Sequence, residues 1–270
     1  MASKLVCRSD LHVHTNLSGC APRTTTAASY LALCEEAGIR RIGFSNHIYK
    51  PEALQTVYPG NLRYALQLQE ELAAIRDRYP VTVLLGCEVE TFYGQPPGLK
   101  REDAAAFDYI LLAPSHIYNQ AHEYTHMDLS TPESARALLL EQFRRACLLE
   151  YDRPTGICHP LYPVCCPFEQ EVVDGITDSQ LEECFTLAVK HQKSIEIHAC
   201  LFRPGTARDE EGLSPSYLRL LTAAKACGCM FHFGSDCHSP EGFAQAHRKL
   251  ERAAERVGIT EAMLWEPARW

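Results

Sequence analysis

The chain has no apolar run near the ~18 residues that a membrane-spanning helix needs. Its opening residues, MASKLVCRSDLHVH, lack the apolar block of a secretory signal. These absences lead us to expect a cytoplasmic protein with no membrane partner. Positive charge is also scarce. The 26 Lys and Arg face 34 Asp and Glu, a formal net charge of −8, and no basic stripe stands out. That balance argues against a nucleic-acid partner, whose phosphates call for a basic footprint. Gly-rich phosphate loops of the dinucleotide or P-loop kind are missing. No linker, low-complexity tract or internal repeat interrupts the 270 residues, so 1–270 reads as one domain.

What is present is ordinary in bulk. Hydrophobic residues make up 46% and charged residues 22%, enough for a sizeable core without a metal or disulfide to hold it. The 13 cysteines are an odd number. Cys34, Cys87, Cys147, Cys158 and Cys184 sit in apolar stretches, where a free cysteine acts as a small buried hydrophobe. Without a secretory context a disulfide framework is not expected.

Short β-rich runs alternate with longer amphipathic ones. Strands are expected over 5–14, 41–47, 81–89, 109–116, 155–159, 194–198 and 230–236. Helices are expected over 27–37, 61–79, 132–149, 178–191, 215–227 and 240–257. Thr131 reads as an N-cap with Pro132 at the first helical position. Seven strand–helix units imply a mostly parallel sheet with helices outside, as a closed or nearly closed barrel or as a doubly wound open sheet. The long stretches 90–100, 118–130 and 161–177 follow strands and read as irregular rim loops.

Every expected strand delivers a possible metal ligand to its exit: His12 and His14, His47, Glu88 with Glu90 behind it, His116, His159, Glu196 with His198, and Asp236 with His238. Side chains two apart on a strand share a face, so His12 and His14 can reach one ion. Imidazole and carboxylate are usual ligands of zinc, manganese or iron, and a strand-end Glu88 can bridge two ions. His232 lies earlier in its strand and reads as packing. His122, His126, His191 and His247 lack the pattern and are assigned to loops and helix surfaces.

The ordered segments Asp-Leu-His12-Val-His14-Thr, Ser-Asn-His47, Gly-Cys-Glu88, Ser-His116, Cys-His159-Pro and Gly-Ser-Asp236-Cys-His238 resemble the PHP superfamily, named for polymerase and histidinol phosphatase. The resemblance implies a distorted (β/α)7 barrel, TIM-barrel-like, with two to three divalent metal ions (Zn, Mn or Fe). It implies that His12, His14, Glu88 and Asp236 hold one ion. Glu88 would bridge to a second, held also by His116 and His159, and His47 and His238 would hold a third. A histidine common in the family's first loop is replaced here by Cys20. That residue is either a thiolate ligand of the third ion or an ordinary cysteine. Where the family often has Thr-Asp-His, this chain has Ser45-Asn46-His47.

The segment Glu196-Ile-His198-Ala-Cys-Leu-Phe-Arg203-Pro resembles one in the histidinol phosphatases and implies that Arg203 grips a phosphate. His198 stands where the family has Asn, with its role open between substrate, metal and Glu196. The expected activity is metal-dependent hydrolysis of a small-molecule phosphate monoester, with histidinol phosphate the named candidate and Arg203, Asp236 and His238 the candidate catalytic residues. An amidohydrolase-type hydrolase and a PHP-type nuclease are the alternatives. The first calls for a bridging Lys that no strand end supplies, and the acidic balance opposes the second. Oligomeric state is not legible.

Overall fold

The strand that carries Glu88 shows how the barrel is built. In β4 (Thr82–Glu90) Val83, Leu85, Cys87 and Val89 are buried in the large outer core. The alternate residues Leu84, Gly86, Glu88 and Glu90 share the opposite face. The same two-residue period recurs in β7 (Ser194–His198) and β8 (Phe231–Gly234). There Ile195, Ile197, Phe231 and Phe233 join the outer core. Inside the barrel a smaller apolar cluster of Leu11, Leu84, Tyr109, Leu111, Ala113 and Cys158 fills the lower part.

The structure, a computed structural model, describes residues 7–49, 61–91, 94, 96–117, 129–198 and 212–268. The remaining strands are β1 (Ser9–Val13), β2 (Arg41–Phe44), β3 (His47–Ile48), β5 (Tyr109–Ala113) and β6 (Thr155–Ile157). They run in the order β1-β2-β4-β5-β6-β7-β8, all parallel, with β3 continuing beside β4. The exit of β8 returns to β1. Asp236 N–H donates to His12 O at 2.8 Å, and His14 N–H donates to Cys237 O at 3.0 Å. The result is the nearly closed, distorted barrel that the strand count and the resemblance imply, not an open sheet.

Helices α1 (Ala27–Ala37), α2 (Leu62–Ile75), α3 (Pro132–Leu148), α4 (Glu169–Asp174), α5 (Asp178–Lys190), α6 (Pro215–Ala226) and α7 (Phe243–Val257) are described, with short 3-10 helices at Arg76–Arg78, Arg101–Ala106 and Glu261–Met263. Thr131 caps α3 through Ser134, with Pro132 in the first turn. Thr177 and Gln180 form a reciprocal cap on α5, whose Leu181, Cys184, Phe185 and Ala188 are buried at helical spacing. Behind α7, Trp265 closes the lower end of the barrel. Its ring meets Tyr109 edge-on and lies 5.4 Å from His232.

Three sequence expectations change. The strand expected over 41–47 breaks between Phe44 and His47, where the Ser45 hydroxyl donates to Leu11 O and Asn46 binds Thr15. The loop expected over 161–177 contains α4, too short for its period to register. His247, assigned to a helix surface, is 2% exposed, with its Nε2 2.7 Å from Asp10 Oδ2 beneath β1.

Candidate metal centre

Parallel strands bring their carboxyl ends to one rim, so residues distant in sequence meet there. His12 and His14 leave β1 with their Nε2 atoms 3.1 Å apart. Both face Glu88 Oε2 at 3.4 Å, and Asp236 Oδ1 lies 3.0 Å from His14 Nε2 and 3.6 Å from His12 Nε2. On the other side of Glu88, Oε1 stands 2.9 Å from His159 Nε2 and 4.0 Å from His116 Nε2. His47 Nδ1 comes within 2.7 Å of Glu88 Oε2 and 3.2 Å of Glu90 Oε1. Cys20, His14, His47 and His238 each bring one donor atom to a shared spot, all within 4.8 Å of one another. His12, His14 and Asp236 form a second such group, and His47, Glu88, Glu90 and His116 a third.

Two exits bend to achieve this. His159 follows Cys158, whose side chain fills the barrel interior, and would otherwise point outward. A φ of +32° swings it toward Glu88, and Asp236 has a φ of +53°. Gly234 packs directly against the Glu196 side chain, and a Cβ there would displace the carboxylate.

The outer nitrogens of these rings are already held. His12 Nδ1 donates to Glu196 Oε1 at 2.7 Å, and His116 Nδ1 donates to Glu90 Oε1 at 2.8 Å. His14 Nδ1 bonds Ser18 Oγ at 3.1 Å, and His159 Nδ1 bonds Ser115 Oγ. With Nδ1 engaged, each Nε2 is left to face the cluster, the arrangement that orients metal-binding imidazoles. The remaining His198 Nε2 lies 3.3 Å from Asp236 Oδ2 and groups with His12 and His159.

Charge points the same way. Burial opposes ionisation of Glu88, but His47 and His12 outweigh it and hold the carboxyl well below its ordinary range. Burial likewise opposes Asp236, which His12, His14 and His198 keep well down. Glu196, despite burial, is brought to about 2 by His12 and His198. His12 and His47 rise well above their usual value against their own desolvation, through Glu196 and Glu88 respectively. Buried carboxylates thus stay charged by keeping protons on imidazoles. Cations can take the place of those protons. Glu88 Oε2 and His47 Nδ1 are buried and lie 2.7 Å apart without hydrogen-bond alignment, so opposite charge rather than a hydrogen bond pairs them. The residues therefore fit a divalent-metal cluster.

Of the candidate residues, His12, His14, Cys20, His47, Glu88, His116, His159, Asp236 and His238 gather at this rim, while Arg203 lies outside the described residues. Sequence reading left Glu90 and Glu196 without assigned roles. Their positions at strand exits were visible, but their hydrogen bonds to His116 and His12 were not. A cavity of about 590 Å³, lined by Tyr151, Arg153, Lys193, Met230 and Trp265, opens at the strands' opposite end, away from the histidines.

No family model and no curated protein matches the chain by sequence. Solved structures do match. Histidinol phosphate phosphatase from Lactococcus lactis subsp. lactis Il1403, complexed with zinc, L-histidinol and phosphate, aligns with a TM-score of 0.67 at 18% identity over 95% of each chain. A Listeria monocytogenes protein assigned by name as histidinol phosphatase hisK aligns with a TM-score of 0.63 at 14% identity, over 89% of this chain and 99% of that one. At such identities the likeness is one of fold, and this chain has the fold of the histidinol phosphate phosphatases.

Proposed function

We propose that this protein is a metal-dependent phosphoesterase that hydrolyses a small-molecule phosphate monoester, with histidinol phosphate the first candidate. The observation that carries the reading is the convergence of imidazoles from six strand exits on ionised Glu88 and Asp236 at one rim. His12, His14, Glu88 and Asp236 would hold one ion. Glu88, His116 and His159 would hold a second, and His47, His238 and Cys20 a third. Bound divalent ions supply charge to a phosphoryl group and activate water near neutral pH.

The chain's own residues prepare that chemistry. Glu196, Glu90, Ser18 and Ser115 fix the rings of His12, His116, His14 and His159. Asp236 and His238 have 16% and 36% of their side chains exposed, the open edge where a phosphate can enter. Arg203 keeps the phosphate-gripping role that the resemblance implies for it. In an amidohydrolase-type site a lysine would bridge the ions. Lys193 instead immediately precedes β7, at the far end, and donates to Leu149 O.

Elemental analysis of protein purified without chelator is expected to show more than one equivalent of transition metal. Phosphate release from histidinol phosphate, or from another member of an ester panel with manganese or zinc, should be abolished in His12→Ala and Asp236→Ala. Negligible metal uptake, or activity retained in both variants, would sink the reading.

A further inference from the structure

Among the described residues the half-buried Cys20 faces more imidazoles than any other cysteine. Cys34 and Cys229 donate S–H to the backbone carbonyls of Tyr30 and Phe185, and Cys158 lies between Leu112 O and Glu88 Oε1, beside the single imidazole of His159. Cys20 instead faces three imidazoles, with its sulfur and one nitrogen each of His14, His47 and His238 within 4.8 Å of one another. The His14 ring stacks on His47 at 4.6 Å and on His238 at 4.4 Å, so the nitrogens converge from packed rings.

The loop that carries Cys20 is tied to the segments that carry its neighbours. Asn46 Oδ1 accepts the Thr15 amide proton at 2.8 Å, and Asn46 Nδ2 donates to Thr15 Oγ1 at 2.8 Å. Ser18 Oγ accepts the His47 amide proton at 3.1 Å. Thr25 Oγ1 donates to His238 O at 3.2 Å, and Asn16 N–H donates to Thr25 O at 2.7 Å. Gly19, at φ +76°, makes the turn immediately before Cys20. Asn46, where the family often has Asp, thus serves as an anchor for this loop.

His14 has Nδ1 on Ser18, and its Nε2 is turned to Asp236 and Glu88. It belongs with the carboxylates. Cys20, His47 and His238 then remain as three protein donors, one of them sulfur. Zinc sites that keep an open position commonly have three protein ligands, and thiolate favours zinc-like ions over oxygen-seeking manganese or magnesium.

We propose that Cys20 makes one end of the centre a sulfur-containing site for a zinc-like cation, chemically distinct from the imidazole–carboxylate end around Glu88 and Asp236. The thiol gives up its proton to solvent as the metal–sulfur bond forms. The proposal rests on the metal-centre reading above.

Cobalt tests it spectroscopically. The full chain loaded with cobalt(II) should show a near-ultraviolet sulfur-to-cobalt charge-transfer band. The band should be lost in both Cys20→Ser and Cys20→His, and Cys20→His should still bind as many cobalt ions as the parent. Exchange of zinc-loaded protein into excess manganese should leave zinc in the parent and remove it from Cys20→Ser. Cobalt bound without the band would overturn the sulfur site and leave the metal centre standing. A band that survives in both variants would also overturn it, by placing the sulfur elsewhere. Failure to bind cobalt at all would overturn the metal-centre reading itself.

Discussion

Glu196 accepts the Nδ1 proton of His12 on one oxygen and the His159 amide proton, at 2.6 Å, on the other. One carboxylate therefore fixes the tautomer of a β1 ring and the backbone at a β6 exit. It also lies against Gly234, so three strands depend on its position. A glutamine keeps the shape but loses the charge and one acceptor. Glu196→Gln is expected to lower metal affinity or activity by roughly 10- to 100-fold, the usual cost of losing such an orienting partner. Metal titration and kcat would measure it, and an unchanged variant would show that the His12 ring needs no such support. At this scale the sequence revealed which residues stand at strand exits, because period-two patterning is local. It did not reveal that Cys20 faces His47 and His238, since nothing in its neighbourhood encodes a contact between distant loops.

Helix α3 shows how far local chemistry reaches. Thr131 and Pro132 form a start signal, and the structure begins the helix there, with Ser134 completing both capping bonds. Thr131→Ala is expected to cost about 1 kcal/mol of stability with the proposed phosphate-ester hydrolysis unchanged, because the cap lies on the outer layer. A denaturant midpoint alongside an activity assay checks both halves. A full activity loss would mean that α3 steers the rim. Helix α1 likewise begins after Thr26 and ends at Gly38, where φ is +75°. Elements without such punctuation were less legible. The β2–β3 break arises from side-chain bonds of Ser45 and Asn46 across to β1 and its loop, and α4 spans under two turns.

Stability belongs to the whole molecule, and a buried histidine outside the proposed ligand set offers a probe of it. His232 is 2% exposed, with Nδ1 bonded to Ser194 Oγ at 2.9 Å and its ring beside Trp265. Burial lowers its pKa from 6.5 to about 4. Between those values the unfolded chain binds a proton that the folded chain refuses, so stability falls as pH drops from 6.5 toward 4. His232→Gln removes this dependence. In chelator, the stability gap between parent and variant should narrow from pH 7.5 to pH 5 in thermal melts, and a constant gap would contradict the neutral buried ring. The sequence by itself determined the alternation of strands and helices, the caps, and a histidine or carboxylate at each strand exit, because these follow from short-range periodicity and turn chemistry. Tertiary structure alone decided barrel closure through His12, His14, Asp236 and Cys237, the burial of His247 against Asp10, and the meeting of Cys20 with His238. Those contacts join opposite ends of the chain, and only the curvature of a closing sheet brings such residues within bonding distance.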